Sequence, residues 1–117
     1  MSKKTLVVGN SDGIGLATTR KLLTLGWDIV GISRSASPIE DPSYEHIVAD
    51  VQGEDYLRAL NSLQKKSPPF DLCLFCVGIG EVLDLEHMDG EAAIFDVNLM
   101  ALVKTVSAIV PSMLDRG

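Results

Sequence analysis

Positive charge is scarce in this chain: ten lysines and arginines stand against sixteen aspartates and glutamates, a formal charge of −6. The adjacent pairs Lys3-Lys4 and Lys65-Lys66 are too few to build the basic face that a nucleic acid or an anionic membrane surface requires. Aromatic residues are also few, at 5%, while hydrophobic content is 46%, so the core must be assembled from aliphatic side chains. Long apolar runs are missing. The stretch after Met1-Ser2-Lys3-Lys4 ends at Val8, short of the ~7–15 residues of a secretory core, and no uninterrupted run approaches the ~18 residues of a membrane span. A cytoplasmic protein with no nucleic-acid and no membrane partner is expected, in a compartment where thiols stay reduced.

Cysteine is confined to Cys73 and Cys76. Cys73-Leu74-Phe75-Cys76 has the spacing of redox and zinc sites, but it lies in an apolar segment that reads as a strand. Residues three apart on a strand face opposite ways and lie about 10 Å apart, beyond disulfide reach. With no second Cys/His pair to complete a tetrahedral site, no metal is expected.

What is present is an alternation of two periodicities. Thr5–Val8 reads as a short strand, apolar on both faces as a central parallel strand should be. Ile14, Ala17, Thr18, Leu22 and Leu25 recur at helical spacing, and Gly26 supplies a left-handed stop. A second strand covers Asp28–Ser33, a Pro- and Ser-rich loop covers Ser35–Ser43, and a third strand covers about Glu45–Ala49. Between Gln52 and Lys66, Leu57, Leu60 and Leu63 line one face of an amphipathic helix. Phe70–Phe75 is the fourth strand, followed by a loop over Val77–Gly90 and a helix from about Glu91 to Leu114. That helix has two apolar faces, one with Phe95, Leu99, Leu102, Val106, Ile109 and Met113, the other with Ile94, Val97, Ala101 and Ala108, which implies the sheet on one side and a further helix or second subunit on the other. Residues 1–117 fit one α/β domain with right-handed crossovers, a parallel sheet of order 3-2-1-4 and a ligand site where the strand order reverses.

Directly after the first strand comes Gly9-Asn10-Ser11-Asp12-Gly13-Ile14-Gly15. Strand, glycine turn and helix in this order suit a dinucleotide diphosphate: glycines let the backbone approach the phosphates, and the helix start offers unpaired N–H groups with a partial positive charge. The lysine and hydroxyl of the G-x-x-x-x-G-K-[ST] phosphate loop are absent. Just after the second strand stands Ser33-Arg34, where a free ribose 2′-OH is usually met by a carboxylate and a 2′-phosphate by a cation. Arg34 offers a planar fork and Ser33 a hydroxyl, which favours NADP over NAD and disfavours a methyltransferase that would grip a ribose diol with an acid.

The Gly9-x-x-x-Gly13-Ile14-Gly15 spacing closely resembles the T-G-x-x-x-G-I-G segment of the short-chain dehydrogenase/reductase family. The resemblance implies a doubly wound, Rossmann-like sheet, incomplete on its C-terminal side. It implies a cofactor held by Gly9, Ser11, Asp12, Gly13, Ile14 and Gly15 at the diphosphate and by Ser33 and Arg34 at the adenosine ribose. It further implies Asp50-Val51 at the adenine amino group, with Asp50 also a candidate cap for the next helix, and Val77-Gly78 beside the cofactor ribose. Within Asp96-Val97-Asn98-Leu99, Asn98 matches the family's helical Asn that helps organise a proton relay to the catalytic Lys. The chain departs from the pattern in reading Phe75-Cys76-Val77-Gly78 without the family's two asparagines, and in carrying Val8 for the usual Thr.

The family's catalytic Ser, Tyr and Lys have no match: Tyr44 and Tyr56 are followed four residues on by Val48 and Leu60, and His46 and His87 read as isolated surface residues. The chain is therefore similar to the N-terminal half of an NADP-dependent reductase acting on a small carbonyl or alcohol, expected to be inactive as written. A non-catalytic NADP-binding protein and a pure interaction module are the alternatives. An unpaired fourth strand and the two-faced last helix point to a homo-oligomer.

Overall fold

The computed structural model describes residues 2–65, 70–77, 85–86 and 89–116. Strands β1 (Lys4–Val8), β2 (Asp28–Ser33), β3 (Tyr44–Val48) and β4 (Leu72–Phe75) form one parallel sheet of order β3-β2-β1-β4, as the alternation of periodicities predicts. β1 and β2 occupy the centre because they are apolar on both faces: Leu6, Val7, Val8, Ile29, Val30 and Ile32 are all buried. The outer strands are only partly covered, and β4 is one edge of the sheet.

Three hydrogen bonds carry the ladders past the strand ends: Gly9 N–H to the Ile32 carbonyl at 2.7 Å, Ala49 N–H to that of Ser33 at 2.9 Å, and Cys76 N–H to that of Val8 at 2.8 Å. The chain consequently leaves all four strands at one level, with the loops side by side.

Helix α1 (Gly13–Thr24) buries Gly15 and Thr19. It stops where expected: Gly26 adopts φ +83°, a left-handed conformation open to glycine, and Trp27 N–H returns to the Leu22 carbonyl at 3.1 Å. The turn that launches α1 is very tight. A Cβ on Gly15 would overlap the Gly9 carbonyl oxygen and come within 2.9 Å of Asn10 Cα.

Helix α2 (Glu54–Gln64) is two residues shorter at each end than its apolar spacing suggests, and its N-cap is Gly53, with no side-chain cap. Asp50 is not that cap. Its carboxylate accepts the Gln52 N–H at 2.9 Å and its carbonyl the Gly53 N–H at 2.8 Å, a local turn that uses up the side chain before the helix starts.

The last helical span departs most from its sequence pattern. It consists of α3 (Asp89–Phe95), a π turn over Asp96–Met100, and α4 (Ala101–Arg116). In the π turn the Ala101 N–H reaches back to the Asp96 carbonyl, one residue further than in an α-helix. Of the two expected apolar faces, the one with Val97 and Ala101 is buried, joined by Thr105 and by Ile109 of the other, whereas Phe95, Leu99, Leu102 and Val106 of that other face are exposed. Residues 92–115 also form a helix long and apolar enough to cross a membrane by length and composition, which uninterrupted runs in the sequence do not register. Its buried face is nonetheless taken up by protein: the Tyr56 hydroxyl on α2 bonds Thr105 Oγ1 at 2.5 Å, and Gln64 Nε2 donates to the Ala108 carbonyl.

Burial lifts the Tyr56 phenol to about 12 and the Cys73 thiol to about 11. Both groups hold their protons to higher pH when folded, so their stabilising effect is complete below about pH 9, where the unfolded thiol begins to ionise, and is lost as pH rises towards 12. Urea midpoints measured across this range should fall. Tyr56→Phe should flatten the upper part of the decline while costing about 1 kcal/mol at neutral pH. Gly15→Ala should lower stability by about 1–3 kcal/mol through overpacking of the turn, read as a reduced urea midpoint with unchanged slope.

Candidate functional site

A cleft of about 230 Å³ opens at the carboxyl ends of the strands. Its walls come from every strand end: Gly9, Ser11 and Asp12 after β1, Ser33, Arg34 and Ser35 at and after β2, Asp50 and Val51 after β3, and Cys76 and Val77 after β4. Val97 of the π turn closes one side. Residues far apart in sequence meet here because the ladders end together.

The glycine turn is built for close backbone approach. Gly9 adopts φ +85° and Gly13 φ +55°, both in the left-handed region. A Cβ on Gly9 would lie 2.6 Å from Val77 Cγ2, so a side chain there would wedge the β1 and β4 loops apart. Asp12 is the N-cap of α1 but is extended, at φ −155°, and its carboxylate makes no capping bond. The first turn of α1 carries no acidic residue. The helix thus turns N–H groups without a side-chain cap, at its positive end, towards the loop.

Among the residues singled out from sequence, Gly9, Ser11, Asp12, Ser33, Arg34, Asp50, Val51 and Val77 line the cleft. Gly13 and Ile14 stand at the helix start, with Ile14 81% exposed, and Gly15 is buried beneath the turn. Asn98 follows cleft-lining Val97 in the π turn but is itself exposed. Gly78 and His87 lie outside the described residues.

One cluster was not legible as such. His46 is not isolated: its Nε2 lies 2.8 Å from the Ser35 carbonyl and 3.0 Å from Ser33 Oγ, and its Nδ1 lies 2.6 Å from the Tyr44 hydroxyl. Tyr44 in turn accepts from Asn10 Nδ2 at 2.9 Å, and the same amide reaches Thr19 Oγ1 on α1 at 3.1 Å. Asn10 is completely buried. The available signal was the two-residue period of β3, which puts residues 44 and 46 on one face, in register with Ile29 and Gly31 of β2. Ser33 itself donates to the Ser35 carbonyl at 2.6 Å, so its proton serves the loop rather than a ligand.

Cys73 and Cys76 are both free thiols, as expected for positions on opposite strand faces. Burial pushes both up, Cys73 to about 11, so neither is poised as a thiolate.

The arrangement has clear relatives. The chain is 28% identical over 126 residues to human "Dehydrogenase/reductase SDR family member 11", covering 96% of this chain and 48% of that protein. It is 26% identical over 122 residues to a "Probable NADP-dependent dehydrogenase" of Haemophilus influenzae, with the same coverage of both. The chain spans about half the length of the curated relatives it matches. Among solved structures, the ligand-free aldohexose dehydrogenase of Thermoplasma acidophilum superposes with a TM-score of 0.83 at 28% identity over 97% of this chain and 45% of that one. A short chain dehydrogenase of Leptospira borgpetersenii with bound NAD+ gives a TM-score of 0.83 at 20% identity, over 93% and 45% of the two chains. The sequence profile of the short chain dehydrogenases matches residues 3–117, and with the sheet order and the glycine turn already in place, this chain belongs to the short-chain dehydrogenase/reductase family.

Proposed function

We propose that these residues form the cofactor-binding part of an NADP-preferring oxidoreductase that transfers hydride between the nicotinamide and a small carbonyl or alcohol. The observation that carries this reading is the position of Arg34 on the same cleft as the glycine turn, with Ser33 and Ser35 rather than a carboxylate beside it. A guanidinium there pairs with a 2′-phosphate, and an acid that would favour a free 2′-OH is not among the described lining residues after β2. The Haemophilus relative is named as NADP-dependent and the Leptospira structure holds NAD+, so the family's shape accommodates either cofactor and the choice falls to residues such as Arg34.

The residues fit a dinucleotide: the uncapped start of α1 faces the loop, and the space that a Cβ on Gly13 would fill is left open. Gly9, Ser11 and Asp12 border the diphosphate, with Gly13, Ile14 and Gly15 shaping the turn. Arg34 meets the 2′-phosphate on the adenosine ribose, with Ser33 bordering it while its proton stays on the Ser35 carbonyl. Asp50 and Val51 meet the adenine, and Val77 and Gly78 the second ribose. Asn98 serves as the helper to the proton relay. The bound cofactor would supply or accept the hydride. No Tyr-x-x-x-Lys occurs in these 117 residues, which is why we assign them binding and not turnover, and why a non-catalytic NADP-binding protein is the second reading. We place the protein in the cytoplasm.

We also assign the exposed stripe of Phe95, Leu99, Leu102, Val103 and Val106 to a second copy of the chain, since this much apolar side chain on one helical span is costly in water. Light scattering should report an oligomer, and Leu102→Glu should shift it to monomer; a wild-type monomer at high concentration would overturn this assignment.

Fluorescence titration tests the cofactor. NADPH should bind about tenfold or more tightly than NADH, and Arg34→Ala should abolish that preference by weakening NADPH alone, a loss in keeping with a charge-assisted contact. The preference should shrink with added salt. Equal binding of both cofactors by the wild type would sink the NADP assignment.

A further inference from the structure

Arg34 begins a stretch, residues 34–43, with no helix or strand of its own, and its side chain is exposed. Left to itself such a segment samples many conformations, and a ligand that needs the guanidinium in one place must stand the ordering cost. Three bonds act against this. The Ser35 carbonyl is bound both by the Ser33 hydroxyl at 2.6 Å and by His46 Nε2 at 2.8 Å, and Ser33 Oγ lies 3.0 Å from the same ring nitrogen. The residues on either side of Arg34 are therefore anchored to one imidazole.

The chemistry of the partners fixes the direction of these bonds. A carbonyl oxygen only accepts, so His46 Nε2 carries a proton. In the neutral ring Nδ1 is then an acceptor, filled by the Tyr44 hydroxyl at 2.6 Å. The Tyr44 oxygen receives the Asn10 amide at 2.9 Å, and the other amide hydrogen goes to Thr19 Oγ1, whose own proton goes to the Gly15 carbonyl at 2.7 Å. The donors run outward from the Asn10 amide, through Thr19 to the Gly15 carbonyl on one side and through Tyr44 and His46 to the Ser35 carbonyl on the other. The two ends of this network are the glycine turn and the segment that carries Arg34. Gly31 lies beneath it: a Cβ there would overlap the Tyr44 hydroxyl and the Asn10 amide, so β2 keeps a glycine where the network crosses it.

We propose that His46 is a positioning residue for cofactor choice, holding the Ser33–Arg34–Ser35 segment in register with the glycine turn so that Arg34 is pre-set for a 2′-phosphate. His46 does not line the cleft and touches no cofactor itself; it acts through Ser33 and Ser35. This rests on the NADP reading above. NADH has no 2′-phosphate to engage Arg34, so its binding is indifferent to the anchoring, and that separates a positioning role from a general structural one.

The test is NADPH and NADH titration of the 117-residue chain and three variants. His46→Ala should weaken NADPH binding about fivefold to tenfold, as expected for the loss of one or two net hydrogen bonds, and change NADH by less than about twofold. His46→Gln, whose amide can still donate to the Ser35 carbonyl, should recover most of the loss. Tyr44→Phe removes the hydroxyl that orients the ring and should give a smaller loss of the same selectivity, which keeps the proposal testable if His46→Ala does not fold. Nitrogen NMR of His46 should show the Nε2–H tautomer. A wild type without NADPH preference overturns the cofactor reading; a wild-type preference that survives His46→Ala or Tyr44→Phe, or equal loss of both cofactors, overturns only the role of His46.

Discussion

The tight return of the chain between Gly9 and Gly15 is the constraint on which the cleft depends. Gly9 is held to β2 through the Ile32 carbonyl, and its own carbonyl oxygen fills the space that a side chain at Gly15 would need. Between them Asn10 is wholly buried, with its amide reaching α1 at Thr19 and β3 at Tyr44. One short turn thereby joins β1, β2, β3 and α1. There is a cost: Asn10 Oδ1 has no partner among the described residues, a deficit of about 1–3 kcal/mol for a buried acceptor. Such a cost is tolerable only because the turn sets the direction of α1 relative to the strand ends.

Net charge makes the electrostatic logic local. A chain at −6 repels a dinucleotide phosphate at long range, and two of the residues on the cleft, Asp12 and Asp50, are themselves acidic. What can offset this is the short-range field of the α1 N-terminus and the guanidinium of Arg34, both effective within a few ångströms. Asp50 is engaged with the Gln52 N–H, which disperses part of its charge. Asp12 is exposed and makes no capping bond, so its carboxylate is free to turn to solvent when an anion approaches the turn.

Features governed by short-range chemistry were legible in the sequence. β2 runs from Asp28 to Ser33 as its apolar pattern says, Gly26 ends α1 in the left-handed conformation, and the strand order follows from the alternation of strands and helices. The cleft position follows from the same topology, so most of the residues picked out for it fall together there. Illegible were the features set by tertiary partners. Asp50 looks like a helix cap until the Gln52 amide takes its carboxylate, and His46 looks like a surface residue until β2 and β3 pair and bring Ser33 and Ser35 to it. Sequence spacing cannot encode a contact that exists only across a strand register.

The last helix shows the same limit more sharply, because a single extra residue in a turn changes what each position does. Counted with 3.6 residues per turn, Phe95, Leu99, Leu102 and Val106 belong on a packing face. It is the other expected face, with Val97 and Ala101, that packs inside the chain, extended by Thr105, where Thr105 meets Tyr56 and Val97 reaches the cleft. Asn98 stands at an exposed position next to the cleft wall. The phase between α3 and α4 on either side of Asn98 is set by Ala101 bonding Asp96 rather than Val97, a feature that the apolar pattern along the chain does not announce. A π turn placed where a helix borders a site has this effect in general: it lets one helix face satisfy the core while the next residue is presented to a different surface.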